Sequence, residues 1–300
     1  MKTIAKTLTG LLTTVLLTGL FLSACKKQDD NSSGTAGKEE FASVTAESDA
    51  TAEEVFDDVF NNVIGVNSEV GIGGTGVFGR VDVSSGRLEG VDSTNCYIVT
   101  TKQISAATRF PLQITIDFGS GCTARDGRTR KGKITVVYTG HLFISGNSAT
   151  TNFDNYYLDN IKVEGTHKLT NTGTPDKKSY TTQVTNAKLS LSNGNYIQWN
   201  SSKTVTQQEG GTTPLIALDD AYSMTGQADG SVLMNGKYFQ WSTAITTPLT
   251  KRFTCRWIAK GSLSLKKGND AVAVLDYGSG TCDNKATFMV NGVIHEITLH

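Results

Sequence analysis

The sequence predicts an all-β protein: an antiparallel meander forming an extended sheet or two packed sheets, built from two diverged halves, with one N-terminal amphipathic helix. Three observations carry that reading. Turn dipeptides punctuate the chain: Asn193-Gly194, Asn235-Gly236 and Asn291-Gly292 favour the type I′ hairpin turn, and Asp126-Gly127 and Asp229-Gly230 give the same signal. Alternating or β-branched runs lie between the turns, at 134–139, 160–169, 187–191, 253–258, 271–275 and 293–299, and hairpins this dense imply antiparallel pairing. Two stretches also recur. Asn193-Gly194-Asn195-Tyr196-Ile197-Gln198-Trp199 matches Asn235-Gly236-Lys237-Tyr238-Phe239-Gln240-Trp241, and Ile116-Asp117-Phe118-Gly119-Ser120-Gly121-Cys122 matches Leu275-Asp276-Tyr277-Gly278-Ser279-Gly280-Thr281-Cys282. The halves fall near 66–150 and 215–300, joined by a long-stranded middle inside a β domain at 66–300.

The chain opens with a different signal. Lys2 and Lys6 precede an apolar run, Leu8 to Leu22, that ends in Leu22-Ser23-Ala24-Cys25. That run is too short to span a bilayer and ends in small residues, so residues 1–24 read as a lipoprotein signal peptide and Cys25 as the lipidated first residue of the product. Acyl chains on Cys25 are then the expected membrane partner, since several chains hold a protein stably where one does not. Basic then acidic residues directly after it, Lys26-Lys27-Gln28-Asp29-Asp30, resemble the surface-export signal of Bacteroidota-type lipoproteins. The resemblance implies an outer-membrane lipoprotein facing the outside of the cell. With 28 basic and 28 acidic residues and no basic stripe, nucleic acid is not an expected partner.

Residues 25–48 are polar and small, the composition of a flexible tether. Thr51-Ala52-Glu53-Glu54 then fits a capping box, and Val55, Phe56, Val59, Phe60, Val63 and Ile64 recur at helical spacing. An amphipathic helix is therefore expected over 49–65, with Asp57 and Asp58 on the face opposite its apolar stripe.

Within the β domain, alternation puts Trp199 and Trp241 on one face of their strands and Tyr196, Gln198, Tyr238 and Gln240 on the other. The Trp face reads as core. The Tyr/Gln face is the candidate ligand platform, shaped to stack a sugar ring, with a glycan or a surface protein as its partner.

Five cysteines are present, and lipidation of Cys25 leaves four, which allow three pairings. An exported chain favours disulfides. The second repeat selects Cys96–Cys122 and Cys255–Cys282, and the latter two are equidistant from a hairpin turn at Gly268-Asn269. Each bridge would close a loop of about 26 residues, worth roughly 3 kcal/mol.

Other constellations read as structure. Gly71-Ile72-Gly73-Gly74-Thr75-Gly76 matches a dinucleotide-binding string, but helix precedes it and strand follows, the reverse of the required context. His295 and His300 are five apart on a strand and cannot chelate one ion locally, and His141 and His167 have no evident carboxylate partner. Ser120 and Ser279 lie in turns, where Asp117 and Asp276 are placed to cap backbone amides. Asp154 to Asn160 is rich in oxygen ligands but lacks the glycine-bearing loop of a calcium site. No metal, cofactor or catalytic residue is expected.

Residues 117–123, Asp-Phe-Gly-Ser-Gly-Cys-Thr, are followed by Asp126-Gly127-Arg128-Thr129-Arg130-Lys131-Gly132-Lys133-Ile134. Together they resemble an uncharacterised Bacteroidota-type surface lipoprotein family, with the lipobox and the duplicated D-F/Y-G-S-G-(x)-C motif in common. The resemblance implies location and architecture, with no activity attached. The expected function is a non-enzymatic binding or structural module at the cell surface. The alternatives are a periplasm-facing lipid or acyl-chain carrier using an apolar concave sheet face, and a carbohydrate-active hydrolase using carboxylates from separate strands.

Overall fold

The computed structural model describes residues 30–66, 70, 96–124, 126–174, 177–212 and 219–299. Residues 1–29, which hold the segment expected to be a signal peptide and Cys25, lie outside the described residues, as do the Gly71–Gly76 string and His300. One helix, α1 (Asp30–Gly65), precedes the strands β1 (Ile98–Gln103), β2 (Leu112–Asp117), β3 (Cys122–Thr123), β4 (Thr129–Tyr138), β5 (Ser148–Leu158), β6 (Ile161–Asn171) and β7 (Ser179–Ser190). There follow β8 (Tyr196–Glu209), β9 (Ala221–Met234), β10 (Lys237–Arg252), β11 (Lys260–Lys267), β12 (Asp270–Ser279), β13 (Lys285–Val290) and β14 (Val293–Thr298). The protein is all-β with one N-terminal helix. Its strands form a single 14-stranded antiparallel sheet in chain order, with β3 alone off the path, paired to β4. The regions read as two halves lie toward the two ends of that one sheet.

Local rules account for the turns. Asn235 (φ 51°) with Gly236 (φ 78°), and Asn291 (φ 51°) with Gly292 (φ 79°), hold both central positions in the left-handed region, as a type I′ turn demands. Asp117 Oδ1 accepts the Gly119 amide at 2.9 Å and Asp276 Oδ1 the Gly278 amide at 2.7 Å, so both repeat copies close their turns identically. The disulfides are Cys96–Cys122 and Cys255–Cys282.

Four expectations are corrected. Residues 30–48 are helix rather than tether. Ala42, Ala46 and Ala50 are buried, and Thr45 and Ser48 turn their hydroxyls onto the Phe41 and Val44 carbonyls at 2.6 and 2.7 Å. Small and self-satisfied side chains let the helix lie close against a sheet, and tertiary contact supplies the stability that composition withholds. For the same reason Thr51 is no N-cap: it sits inside α1 and its hydroxyl bonds the Glu47 carbonyl at 2.8 Å. Residues 253–258, read as a strand, form the loop after β10 that carries Cys255. Asp229-Gly230, read as a turn, lies inside β9.

Gly230 has a packing reason. It pairs with Trp199 on β8 and Trp241 on β10, so two indoles flank it on one face. A Cβ there would lie 2.5 Å from Trp241 Cζ2. Both indole Nε1–H groups converge on Asp49 Oδ1 of α1, each at 3.0 Å. Glycine thus lets two tryptophans reach one carboxylate.

The sheet curls around α1. Phe41 meets Phe239 on β10. Phe56 stacks on Trp199 of β8 and His167 of β6, and meets Phe153 of β5 edge-on. Phe60 contacts Tyr180 of β7 and Tyr222 of β9. The Tyr138 hydroxyl of β4 donates to the Val63 carbonyl at 2.8 Å. The inward residues of β8 alternate without a break, from Ile197 through Trp199, Ser201, Lys203 and Val205 to Gln207. The concave face expected to be open to an acyl chain is therefore filled by the chain's own helix.

Two outcomes follow. Gly230→Ala forces the indoles apart, and the expected loss is about 1–3 kcal/mol, read as a lower urea midpoint with unchanged slope. The second concerns His167, buried against Phe56, whose burial pushes its pKa down to about 4. The unfolded chain, with an ordinary imidazole near 6.5, takes up the proton first as pH falls. Stability is complete above that value and is lost as pH drops toward the folded value. Between about pH 7 and about pH 5 the wild type should lose about 2 kcal/mol more than His167→Phe, a difference that paired urea titrations would reveal; equal losses would refute it.

Candidate functional site

Alternation places the Tyr/Gln residues on the outward face of the longest strands. Tyr196 on β8, Leu233 on β9 and Tyr238 on β10 are register partners. Two residues along, Gln198, Ser231 and Gln240 form the next row. Two further along come Asn200, Asp229, Ser242 and, on β11, Lys266. Tyr238 is 53% exposed, the fullest exposure of any aromatic on this face.

The rows are organised by hydrogen bonds. Gln240 Nε2 donates to the Tyr238 hydroxyl at 3.2 Å, and Ser231 Oγ to Gln198 Oε1 at 3.1 Å. Asn200 Nδ2 donates to Asp229 Oδ2 at 3.1 Å, while its Oδ1 accepts the Asn186 amide at 2.8 Å. Lys188 Nζ sits 5.2 Å above the Tyr196 ring. Beside the third row the surface dips into a hollow of about 330 Å³ lined by Asn200, Ser202, Gln227, Asp229, Ser242 and Lys266. From the tyrosine row to the Asn200 row is about 13 Å, four residues of extended strand. Rings at one end, with amides, hydroxyls and a carboxylate at the other, match a ligand with ring faces and many hydroxyls. Tyr196, Gln198, Tyr238 and Gln240 share this outward face, as their alternation in the sequence predicts. Ser231, Asn200 and Asp229 were missed, although their parity in β8 and β9 marks the same face.

A second constellation is buried. The acidic face of α1 is enclosed, not solvated. Lys203 of β8 pairs with Glu53 and Lys251 of β10 with Asp57. Arg130 of β4 pairs with Asp58, with its Nε 3.2 Å from Asp58 Oδ2, and reaches Asp126 Oδ2 at 2.6 Å. Asn62 Nδ2 and the Tyr156 hydroxyl also donate to Asp58, at 3.0 and 3.4 Å. Burial works to raise the Asp58 carboxyl, but Arg130 and Arg128 overcome it and hold the group below its ordinary value. Asp57, more weakly compensated, is raised by its burial.

Glu54 and Asp159 lie where α1 meets the β5–β6 turn. Arg128 Nη1 and Arg256 Nε reach Glu54 Oε1 at 3.3 and 3.1 Å, and Arg128 Nε and Arg256 Nη2 reach Asp159 Oδ2 at 2.9 and 3.4 Å. Burial raises the Glu54 pKa despite both arginines. Two carboxylates are thus brought together, but from α1 and a turn, not from separate strands as the hydrolase alternative expects. Each is held by both guanidinium groups in a closed ring of four, an arrangement suited to fixing the helix rather than to exchanging protons. Asp159 belongs to the segment weighed for calcium; its oxygens are engaged by these arginines and by the Thr129 amide at 2.8 Å. His295 stacks on Phe288 at 4.8 Å.

No protein family, curated protein or solved structure matches the chain.

Asp58→Ala leaves Arg130, a fully buried side chain, short of its closest counter-charge. Removing one partner of a buried pair typically costs about 3–5 kcal/mol, and Asp126 should hold this loss at the lower end. Equilibrium denaturation showing a loss below about 1 kcal/mol would mean the pair does not anchor α1.

Proposed function

We propose that this chain is an outer-membrane-anchored lipoprotein, acylated at Cys25, that acts at the cell surface as a non-enzymatic glycan-binding module. The observation that carries this reading is the outward face of β8–β10, where the row holding Tyr196 and Tyr238 borders a hydrogen-bonded row of Gln198, Ser231 and Gln240 that leads on to a polar hollow. Aromatic rings offer apolar faces to the C–H face of a sugar, while planar amides and carboxylates receive its hydroxyls. Rigidity favours the site, because the side chains stand on long strands whose other face is locked against α1.

The anchor reading rests on Leu22-Ser23-Ala24-Cys25 and on the resemblance to the Bacteroidota-type surface lipoprotein family. The acyl-carrier alternative draws no support from the concave face, which α1 fills, and the hydrolase alternative draws none from carboxylates already paired.

A glycan array probed with the Cys25→Ser chain should show binding that Tyr196→Ala with Tyr238→Ala weakens by about tenfold or more; a folded double variant that binds as well as its parent would sink the platform. Cys25→Ala should move the protein from the membrane to the soluble fraction, and protease added to intact cells should degrade the wild type. Retention of the variant in the membrane would end the anchor reading.

A further inference from the structure

A cleft of about 710 Å³ lies on the flank of α1, away from the outward Tyr/Gln face. It exists because the turns joining β5 to β6, β7 to β8 and β9 to β10 stop short of one stripe of the helix. Val44, Ser48, Thr51 and Val55 form that stripe, and Ile161, Leu191, Ile197 and Met234 face it from the hairpin ends. The hydroxyls in the stripe are already engaged. Ser48 donates to the Val44 carbonyl and Thr51 to the Glu47 carbonyl. The wall therefore behaves as hydrocarbon and gives a sugar little to bond.

Polarity is concentrated at one end, where Glu54, Asp159, Arg128 and Arg256 form their ring. A guanidinium carries five N–H donors. Arg256 gives its Nε and Nη2 to the two carboxylates, and its side chain stays 33% exposed. It can take a further anion in the fork geometry arginine favours. Glu47 lines the cleft two turns earlier on the helix, about 10 Å away, and repels negative charge there. The ring as a whole is neutral, so what it offers a head group is the exposed edge of Arg256, whose remaining N–H groups are directional donors. Hydrocarbon wall, guanidinium edge and the Glu47 carboxylate together select one orientation of one kind of molecule.

We propose that this cleft binds a single-chain amphiphile with an anionic head, the chain lying along the Val44–Val55 stripe and the head on Arg256. The site is separate from the glycan platform and stands whether or not Cys25 is acylated.

The test uses the full chain with Cys25→Ser, so that no acyl group of its own is attached. It is titrated calorimetrically with saturated fatty acids of increasing length and with the matching n-alcohols, all below their micelle concentrations. Burial of each added methylene should tighten binding about fourfold until the cleft is full. The acid should bind at least tenfold more tightly than its alcohol. Arg256→Gln should erase that preference, read as the ratio of acid to alcohol Kd within the same variant. Leu191→Asp and Met234→Asp, each placing negative charge in the wall, should weaken the acid at least tenfold while circular dichroism stays that of the parent. The proposal is overturned by no binding at any chain length, by equal binding of acid and alcohol, or by folded wall variants that bind as the parent does. Loss of glycan binding in the platform variant would leave this result untouched, so the two readings fail separately.

Discussion

Carboxylates on a helix that lies inside a sheet must each be met by a donor from the strands, and that requirement organises this molecule. Asp49, Glu53, Glu54, Asp57 and Asp58 project from α1, and two indoles, two lysines and three arginines answer them from β4, β8, β10 and the adjoining turns. Withdrawing such charges from water costs several kcal/mol per ion, so the pairs do little to raise net stability. Their effect is on geometry. Lys203, Lys251 and Arg130 stand on different strands, so only one rotation and one axial position of the helix satisfies all three. The driving force comes instead from Phe56 and Phe60, which insert into a ring of aromatic side chains drawn from β5 to β9. Apolar burial favours a helix in the sheet, and charge decides which way it faces.

Short-range chemistry was legible in the sequence. Asn-Gly turns, the Asp117 and Asp276 caps, the cysteine pairs and the outward Tyr/Gln parity each depend on neighbours a few residues away, or on a repeat that shows the same solution twice. Long-range partnership was not. The segment before residue 49 has a polar, small-residue composition that suits a tether in isolation, and only the sheet closing over it makes it a buried helix. Gly230 shows the same limit in one residue, because Asp229-Gly230 is a turn signal by local rules. Its absent side chain makes sense only once Trp199 and Trp241 lie on either side, and those lie on strands before and after it. One hint was available: Lys203 shares parity with Trp199 and Val205 in an alternating strand, and an inward lysine implies an acid on whatever packs there.

Filling the sheet from within also decides which surfaces the described residues leave open. A sheet has two faces, and α1 takes the inner one. What remains is the outer face and the seam along the flank of the helix. Both features argued above lie in those places, and they share a backbone. On β8, Ile197 points into the seam while its neighbours Tyr196 and Gln198 point outward, and at the β9–β10 turn Met234 and Asn235 border the seam beside Tyr238. Successive side chains of a strand face opposite ways, so one pair of hairpin ends can present hydrocarbon on one side and rings and amides on the other. Neither surface could be altered at these positions without moving the strand that carries both. The platform's rigidity therefore traces back to the buried acids. They fix the helix, the helix fixes the inward residues of β8 to β10, and those residues hold the outward ones in register.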